Sequence, residues 1–248
     1  MDQLRKASYL KKNEKVSVED ADVSLLPPAV KQINVVVEGS IGAGKSTLIK
    51  YMKELDKAYN KIEFYEEPVD QWMNFQGHNL LQEFYKDPKE NAFALQSYIN
   101  LTKVKQFVSK TNKPIRLFER SLASSQKCFM PILFKNELLS AKETDILKSW
   151  ADTLSEWFPN QLKIDKVIYL QTNPDKCLER ISQRNRSEES NISYEYLVDL
   201  HKAHETWISQ LSNAEIDVIG VNVSLDFEVL KPMYQQIYQD LCISVLIP

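Results

Sequence analysis

The sequence predicts an α/β fold with a five-stranded parallel sheet flanked by helices. Short apolar, β-branched runs alternate along the chain with longer segments of helical periodicity, the pattern of strand–helix–strand units. A glycine-rich turn lies between the first apolar run and the first helical segment. The 43% hydrophobic content of the 248 residues is sufficient for a full-sized core.

The elements follow one another in chain order. Strands are expected at the apolar runs 33–37, 62–65, 115–118, 167–170 and 216–221. Pro88 and Pro174 each stand where a helix begins, because proline suits the first helical turn. Helices are expected after the glycine-rich turn, at 70–75, 80–85, 88–109, 121–134 and 141–157, from Pro174 onward, and at 194–211 and 226–240.

We expect a single domain over residues 31–248, because no repeat or low-complexity linker interrupts this alternation. Residues 1–30 mix lysines with acidic residues and end at Pro27-Pro28, which predicts a flexible N-terminal tail. Transit peptides are rich in Arg and poor in acids, so a cytoplasmic location is favoured over a mitochondrial one.

Charge and cysteine content exclude several classes of partner. A net charge of −3 and a pI near 5.8 leave no broad basic field, so we expect no nucleic-acid partner. No apolar run reaches membrane-spanning length, so we expect no membrane association. The three cysteines show no metal-ligand spacing, and their odd number favours a reducing compartment.

The glycine-rich turn has the spacing of a phosphate loop, with strand before it and helix after it. Its backbone N–H groups and the helix N-terminus can face a triphosphate. Lys45 would reach the β and γ oxygens, and the Ser46 hydroxyl would bind Mg²⁺. The sequence therefore predicts a nucleoside triphosphate bound with Mg²⁺ and held by Gly39, Ser40, Ile41, Gly42, Ala43, Gly44, Lys45, Ser46 and Thr47.

Carboxylates follow two of the predicted strands, at the edge of the sheet where ligands collect. Glu119 closes the third strand and can hold the magnesium ion directly or through water. Glu66 and Glu67 follow the second strand, and Pro68 keeps the preceding residue extended. One of the two can therefore face the cleft, where it would position an attacking hydroxyl and accept its proton.

The helix that begins at Pro88 carries a candidate nucleobase reader. Gln96, Ile99 and Lys103 share one face, and a Gln carboxamide presents a donor beside an acceptor. Ser125 lies one turn before Phe129. Aromatic residues at such spacing also build ordinary cores; the candidates for stacking on a base are Trp72, Phe84, Tyr85 and Phe129.

Three arginines lie at the end of the helix that Pro174 begins, namely Arg180, Arg184 and Arg186. Guanidinium groups suit phosphoryl oxygens, so the group indicates a lid over the triphosphate. The alternative is a solvent-facing helix whose charges are balanced by neighbouring glutamates.

From about Ile33 to Ile208 the chain resembles the deoxyribonucleoside kinases, the family of deoxycytidine and deoxyguanosine kinases, mitochondrial-type thymidine kinase and the insect multisubstrate enzyme. The motifs occur in the family's order, and the set is far more specific than any one of them. The matching segments are Glu38–Ser46, Glu67–Trp72, Tyr85–Pro88, Gln96–Tyr98, Glu119–Ser121 and Arg184–Glu189.

The resemblance implies ATP-dependent phosphorylation of the 5′-hydroxyl of a 2′-deoxynucleoside. Glu67 would be the base and Arg120 would hold both Glu67 and the 5′-oxygen, with Lys45 on the phosphates. Tyr85 and Glu189 would bind the 3′-hydroxyl, and a ribose 2′-hydroxyl would crowd the tyrosine. The other implied substrate-binding residues are Trp72, Phe84, Gln96, Ile99, Lys103, Ser125 and Phe129.

The resemblance also assigns the metal site to Ser46 and Glu119 and the lid to the three arginines. It further implies a homodimer formed through a helical bundle, and feedback inhibition by a deoxynucleoside triphosphate. Members selective for purines and cytidine carry Arg and Asp where this chain has Lys103 and Ser125. Without the Asp, the pocket lacks a carboxylate that accepts a hydrogen bond from an exocyclic amine. Loss of this bond weakens discrimination in favour of purines by about 1–3 kcal/mol, which favours a pyrimidine-preferring or broad enzyme.

Two other functions share part of this pattern. A nucleoside monophosphate kinase of the thymidylate kinase type has the same loop, an acid-Arg strand end and a lid. A nucleotide-dependent switch would bind the triphosphate without an acceptor. Its guanine-reading motif is absent, since the only candidate, at Asn112-Lys113, lacks the required Asp.

Overall fold

The computed structural model describes residues 32–189, 192–213 and 216–245, so the tail expected over residues 1–30 lies outside the described residues. Five parallel strands form one sheet in the order β2-β3-β1-β4-β5, which confirms the predicted fold class. The strands are β1 (Ile33–Glu38), β2 (Ile62–Tyr65), β3 (Ile115–Glu119), β4 (Lys166–Gln171) and β5 (Asp217–Asn222).

The helices occur where the periodicity predicts them, with bounds that differ by a few residues. The longer ones are α1 (Lys45–Asp56), α4 (Pro88–Val108), α7 (Ala141–Trp157), α9 (Pro174–Arg184), α10 (Tyr194–Asn213) and α11 (Phe227–Ser244). The short ones are α2 (Val69–Met73), α3 (Leu80–Lys86), α5 (Leu122–Ser124), α6 (Met130–Lys135) and α8 (Pro159–Leu162), of which α8 was not predicted.

The central strand β1 is buried along its whole length because helices cover both faces of the sheet. Val35 and Val37 point to the face covered by α1 and α11. Val36 points to the opposite face and packs with side chains of α4 and α10. The loop that follows β1 is therefore held at the middle of the sheet edge, between the ends of β3 and β4.

The segment predicted as one helix over 121–134 is interrupted by a π-helical turn at Ser125–Phe129, between α5 and α6. Pro131 has no N–H to give to the carbonyl four residues earlier, which accounts for the break in the α-helical hydrogen-bond pattern. Both ends of the turn, Ser125 and Phe129, line the cavity described below.

Within the described residues, no helix combines the length and the apolar character needed to cross a bilayer.

Candidate active site

A cavity of about 770 Å³ opens at the carboxyl ends of the strands. It gathers most of the predicted site residues from separate segments of the chain. Gly39 and Ser40 lie outside its lining, at the base of the phosphate loop. The predicted residues that line it are Ile41–Thr47, Glu67, Trp72, Phe84, Tyr85, Gln96, Ile99, Lys103, Glu119, Arg120, Ser125, Phe129, Arg180, Arg184, Arg186 and Glu189.

The phosphate loop needs glycine where it passes closest to its neighbours. Gly42 has φ +79°, and a Cβ there would lie 2.6 Å from the carbonyl oxygen of Cys177. The Lys45 ammonium is buried and donates to the carbonyl of Ser40 at 3.0 Å. Burial, helped by the facing Arg120, lowers the pKa of Lys45 to about 8. The loop thus holds a cation whose charge a bound phosphate would stabilise.

The two predicted metal-site residues meet directly across the sheet edge. The Ser46 hydroxyl donates to Oε1 of Glu119 at 2.9 Å. Ser46 is the second residue of α1, whereas Glu119 ends β3, so neighbouring strands bring them together. A hydroxyl and a carboxylate are the oxygen ligands that suit Mg²⁺ beside a phosphate.

Both glutamates after β2 line the cavity, but Glu66 is about half exposed and pairs with Lys53, whereas the more buried Glu67 pairs with Arg120. Oε1 of Glu67 lies 3.0 Å from Nε of the buried Arg120. Burial by itself raises the pKa of the Glu67 carboxyl, but facing cations outweigh it, with Arg120 first and Lys103 next. The pKa therefore lies below its ordinary value, and Glu67 is an ionised carboxylate.

Arg120 adopts a left-handed backbone conformation with φ 63°, which is strained for a residue with a Cβ. Hydrogen bonds on both sides hold it there. Its own N–H donates to the carbonyl of Val37 at 3.0 Å, and the N–H of Ser121 donates to Oε1 of Glu38 at 2.9 Å. This backbone directs the guanidinium toward Glu67 and over the ring of Phe129, at 4.7 Å from its centroid.

At the far end of the cavity, Oε1 of Gln96 accepts a hydrogen bond from the Ser125 hydroxyl at 3.1 Å. The carboxamide is buried, and the bond leaves its second polar group available for a ligand. Trp72 is fixed beside it, since its Nε1 donates to Thr102 at 3.0 Å. Helix α4 therefore carries the Gln96 amide and, through Thr102, holds the flat ring of Trp72.

Lys103 shares the cavity with Gln96, but its ammonium lies at the strand ends. It is almost fully buried and donates to the backbone carbonyl of Glu119. Burial lowers the pKa of Lys103, while the facing carboxylates of Glu67 and Glu119 act in the opposite direction. The Lys103 ammonium therefore lies near the carboxylates of Glu67 and Glu119, at the strand ends.

The predicted lid arginines separate into two groups. Arg180 donates to the carbonyl of Val223 at 2.6 Å, on the phosphate-loop side. Arg184 and Arg186 both pair with the carboxylate of Glu189, the latter at 2.7 Å. Tyr85 faces that carboxylate, and burial raises the pKa of its hydroxyl above the ordinary value, so it remains a hydrogen-bond donor.

Many lining residues were not predicted, including Val69, Leu81, Leu95, Ser121, Ser124, Leu133 and Gln183. Beside Tyr85, Tyr196 also lines the cavity, and burial raises the pKa of its hydroxyl to about 12. Beyond the phosphate loop, side chains of α11 and of its connection to β5 form an apolar arm. The arm consists of Val223, Leu225, Phe227, Leu230 and Tyr234. Apolar residues at this spacing are also typical of a buried core, so the sequence pattern could not distinguish cavity lining from core.

Comparisons with known proteins support the same interpretation. The sequence model described as deoxynucleoside kinase matches residues 35–243. Deoxycytidine kinase of Homo sapiens is 32% identical over 228 residues, covering 80% of this chain and 86% of that protein. A probable deoxycytidine kinase of Fowlpox virus is 35% identical over 197 residues, covering 78% and 80%.

A third relative is the mitochondrial deoxyguanosine kinase of Xenopus laevis, 30% identical over 226 residues that cover 80% of this chain and 83% of that protein. The family match spans nearly all of the described sheet and its helices. These matches confirm the resemblance seen in the motifs: the chain belongs to the deoxynucleoside kinase family.

Proposed function

We propose that this chain transfers the γ-phosphoryl group of ATP to the 5′-hydroxyl of a 2′-deoxynucleoside, as a nucleotide-salvage enzyme. The observation that carries the proposal is the Glu67–Arg120 pair, which stands in one cavity between the phosphate loop and Gln96. An ionised carboxylate there can accept a hydrogen bond from the 5′-hydroxyl and orient it toward a phosphate held at Lys45.

The donor side of the cavity suits ATP with magnesium. Lys45 and the loop N–H groups would hold the β and γ phosphates, and Ser46 and Glu119 would hold Mg²⁺. Magnesium needs few protein ligands because phosphates and water complete its coordination. The apolar arm at Leu225 and Phe227 would contact the adenine, and Arg180, Arg184 and Arg186 would close as a lid.

The acceptor side suits a deoxynucleoside. Gln96 would pair with the edge of the base, which Trp72 and Phe129 would flank. Tyr85 and Glu189 together would bind the 3′-hydroxyl and leave little room for a 2′-hydroxyl. The relatives, deoxycytidine and deoxyguanosine kinases by name, support this substrate class.

For the preferred base, we propose a pyrimidine or a broad set. Because residue 125 is a serine, no carboxylate at that position accepts a hydrogen bond from an exocyclic amine of the base. The Ser125 hydroxyl instead donates to Gln96. Phe84 lines the sugar side and narrows it. Lys103 does not change the expected base preference, because its ammonium lies at the backbone carbonyl of Glu119.

The decisive experiment assays the four natural deoxynucleosides with ATP and magnesium. We expect phosphorylation of at least one pyrimidine deoxynucleoside, no turnover of dTMP, and almost no ATP hydrolysis without acceptor. Turnover of dTMP but not of thymidine would instead identify a monophosphate kinase. Hydrolysis that needs no nucleoside would identify a nucleotide-dependent switch.

Replacing Gln96 by Ala tests the base reader. We expect kcat/KM to fall for every deoxynucleoside, by roughly 10–100-fold, because one or two buried hydrogen bonds to the base are lost. The preference among bases should flatten, while KM for ATP stays within about twofold. Steady-state kinetics with each substrate varied measure both effects. If only KM for ATP changed, Gln96 would lie on the donor side of the cleft, and its assignment to the nucleobase would be wrong.

We further propose a homodimer formed through α4 and α7. These neighbouring helices expose large apolar side chains: Leu101 at 49%, Ile146 at 38%, Trp150 at 62% and Trp157 at 69%. Replacing Trp150 by Glu should convert the dimer to a monomer, because a charge would be buried without a partner. Sedimentation measures this, and Ser155→Glu, at an exposed position on another face of the same helix, is the control for added charge.

Other properties follow from the same site. A deoxynucleoside triphosphate can place its base at Gln96 and its phosphates at the loop, so we propose feedback inhibition by the end product. We propose that residues 31–248 act as one domain, without nucleic-acid or membrane partners. A cytoplasmic location is proposed from the lysine-rich, acid-containing N-terminal segment.

A further inference from the structure

A hydrogen bond joins the nucleoside-side helix α3 to the turn that follows the lid arginines. Asn79 is the N-cap of α3, and its Oδ1 accepts from the backbone N–H of Gln82 at 2.9 Å. The other half of the same amide, Nδ2, donates to Oε1 of Glu188 at 3.1 Å. One side chain therefore caps a helix and holds a segment more than a hundred residues away in sequence.

Each end of this bond belongs to a short element that also carries a group assigned to the sugar. Tyr85 is in the last turn of α3, the helix that Asn79 begins. Glu188 is half-way along the single turn Ser187–Glu189, so its neighbour Glu189 is placed by the same short backbone. Glu189 faces Tyr85 and is itself nearly buried, with Arg184 and Arg186 paired to it.

We propose that Asn79 is a positioning residue for the sugar: its bond to Glu188 sets Glu189 against Tyr85, so that the two meet the 3′-hydroxyl. Asn79 itself does not line the cavity. The inference rests on the proposed function, and it names a residue that sets sugar recognition from outside the site.

The choice of residue supports a role beyond capping. Asp, Ser and Thr cap a helix about as well as Asn, since each offers an oxygen to the N–H groups of the first turn. Among the amide and carboxylate caps, Asn alone combines that acceptor with an N–H donor, which a carboxylate partner requires. Asn79 uses both groups at once.

Replacing Asn79 by Asp separates the two roles. The cap is kept, so the melting temperature should stay within about 2 °C of the wild type. The bond to Glu188 becomes a repulsion between carboxylates, so we expect KM for a deoxynucleoside to rise about tenfold or more. KM for ATP should change less than about twofold, because the phosphate loop is untouched.

A 2′,3′-dideoxynucleoside is the discriminating substrate, because it has no 3′-hydroxyl for Tyr85 and Glu189 to bind. The ratio of variant to wild-type kcat/KM should fall about tenfold with the deoxynucleoside and stay near one with the dideoxynucleoside. A general loosening of the fold would lower both ratios alike.

Glu188→Gln in the Asn79→Asp background restores a donor opposite an acceptor, so we expect recovery to within about threefold of the wild type. The single variant Glu188→Gln completes the double-mutant cycle. Asn136→Asp, at an exposed position directly after α6, adds the same charge and should change neither ratio.

Two results would overturn the inference: an equal loss with both sugars, or no recovery in the double variant. A wild-type chain that phosphorylates neither sugar would overturn the proposed function first, and this inference with it. A wild-type chain that is active, with an Asn79→Asp variant that is unaffected on either sugar, would overturn the inference alone.

Discussion

Replacing Glu67 by Gln should lower kcat by about 10²–10⁴-fold, the usual contribution of a positioned base. The two side chains have the same shape, so the introduced amide still fills the space beside Arg120. It carries no negative charge to orient the 5′-hydroxyl and receive its proton, however, and the positive Arg120 loses its counterion. Nucleoside affinity, measured by calorimetry, should change by less than about threefold, since base contacts are untouched.

Glu66→Gln is the matched control for this experiment, one residue away in sequence. Glu66 is about half exposed and pairs with Lys53 at the surface, and an exposed pair of this kind contributes about 0–1 kcal/mol. Its kcat should therefore equal that of the wild type. If Glu67→Gln were as active as Glu66→Gln, Glu67 could not be the base.

Replacing Lys45 by Met should lower kcat/KM for ATP by about 10²–10³-fold, the cost of removing one preorganised donor to developing charge. Methionine keeps the apolar stem and removes the ammonium that the carbonyls of Gly39 and Ser40 hold in place. Steady-state kinetics with ATP varied measure the effect, and the deoxynucleoside Kd is the control. Wild-type kinetics in this variant would show that the loop does not bind the transferred phosphate.

The lowered pKa of Lys45 also predicts how the wild type responds to pH. Burial and Arg120 disfavour the charged form, so the free enzyme loses the proton at a pH near 8 instead of near 10.5. Activity that needs the cation is complete below this pKa and is lost as pH rises through it. We expect kcat/KM for ATP to fall about tenfold per pH unit above about pH 8.

The value of kcat should stay level to higher pH, because a bound triphosphate stabilises the ammonium and raises its pKa. A level profile of kcat/KM to about pH 9.5 would contradict the assignment. Buffers of equal ionic strength are needed throughout, since salt weakens the attraction between the triphosphate and the partly exposed arginines.

The element order and type were predictable because they depend on local patterns. The five strands coincide with short apolar runs, and the longer helices coincide with segments of helical periodicity, two of them beginning at a proline. The phosphate loop was predictable for the same reason, since Gly42, Lys45 and Ser46 act within one short turn. The π-helical turn at Ser125–Phe129 was not, because a single extra residue leaves the apolar spacing almost unchanged.

By itself, the sequence determined the strands, the helices, the phosphate loop and the motifs that identify the family. Only the tertiary structure decided the strand order, the contact of Glu67 with Arg120, the place of the Lys103 ammonium, and the bond from Asn79 to Glu188. The physical reason is distance along the chain. Helices and strands form from neighbours a few residues apart, whereas Lys103 and Glu119 are separated by 16 residues and Asn79 and Glu188 by 109. Glu67 and Arg120, which form an ion pair, are likewise far apart along the chain. Such contacts exist only once packing has brought the segments together.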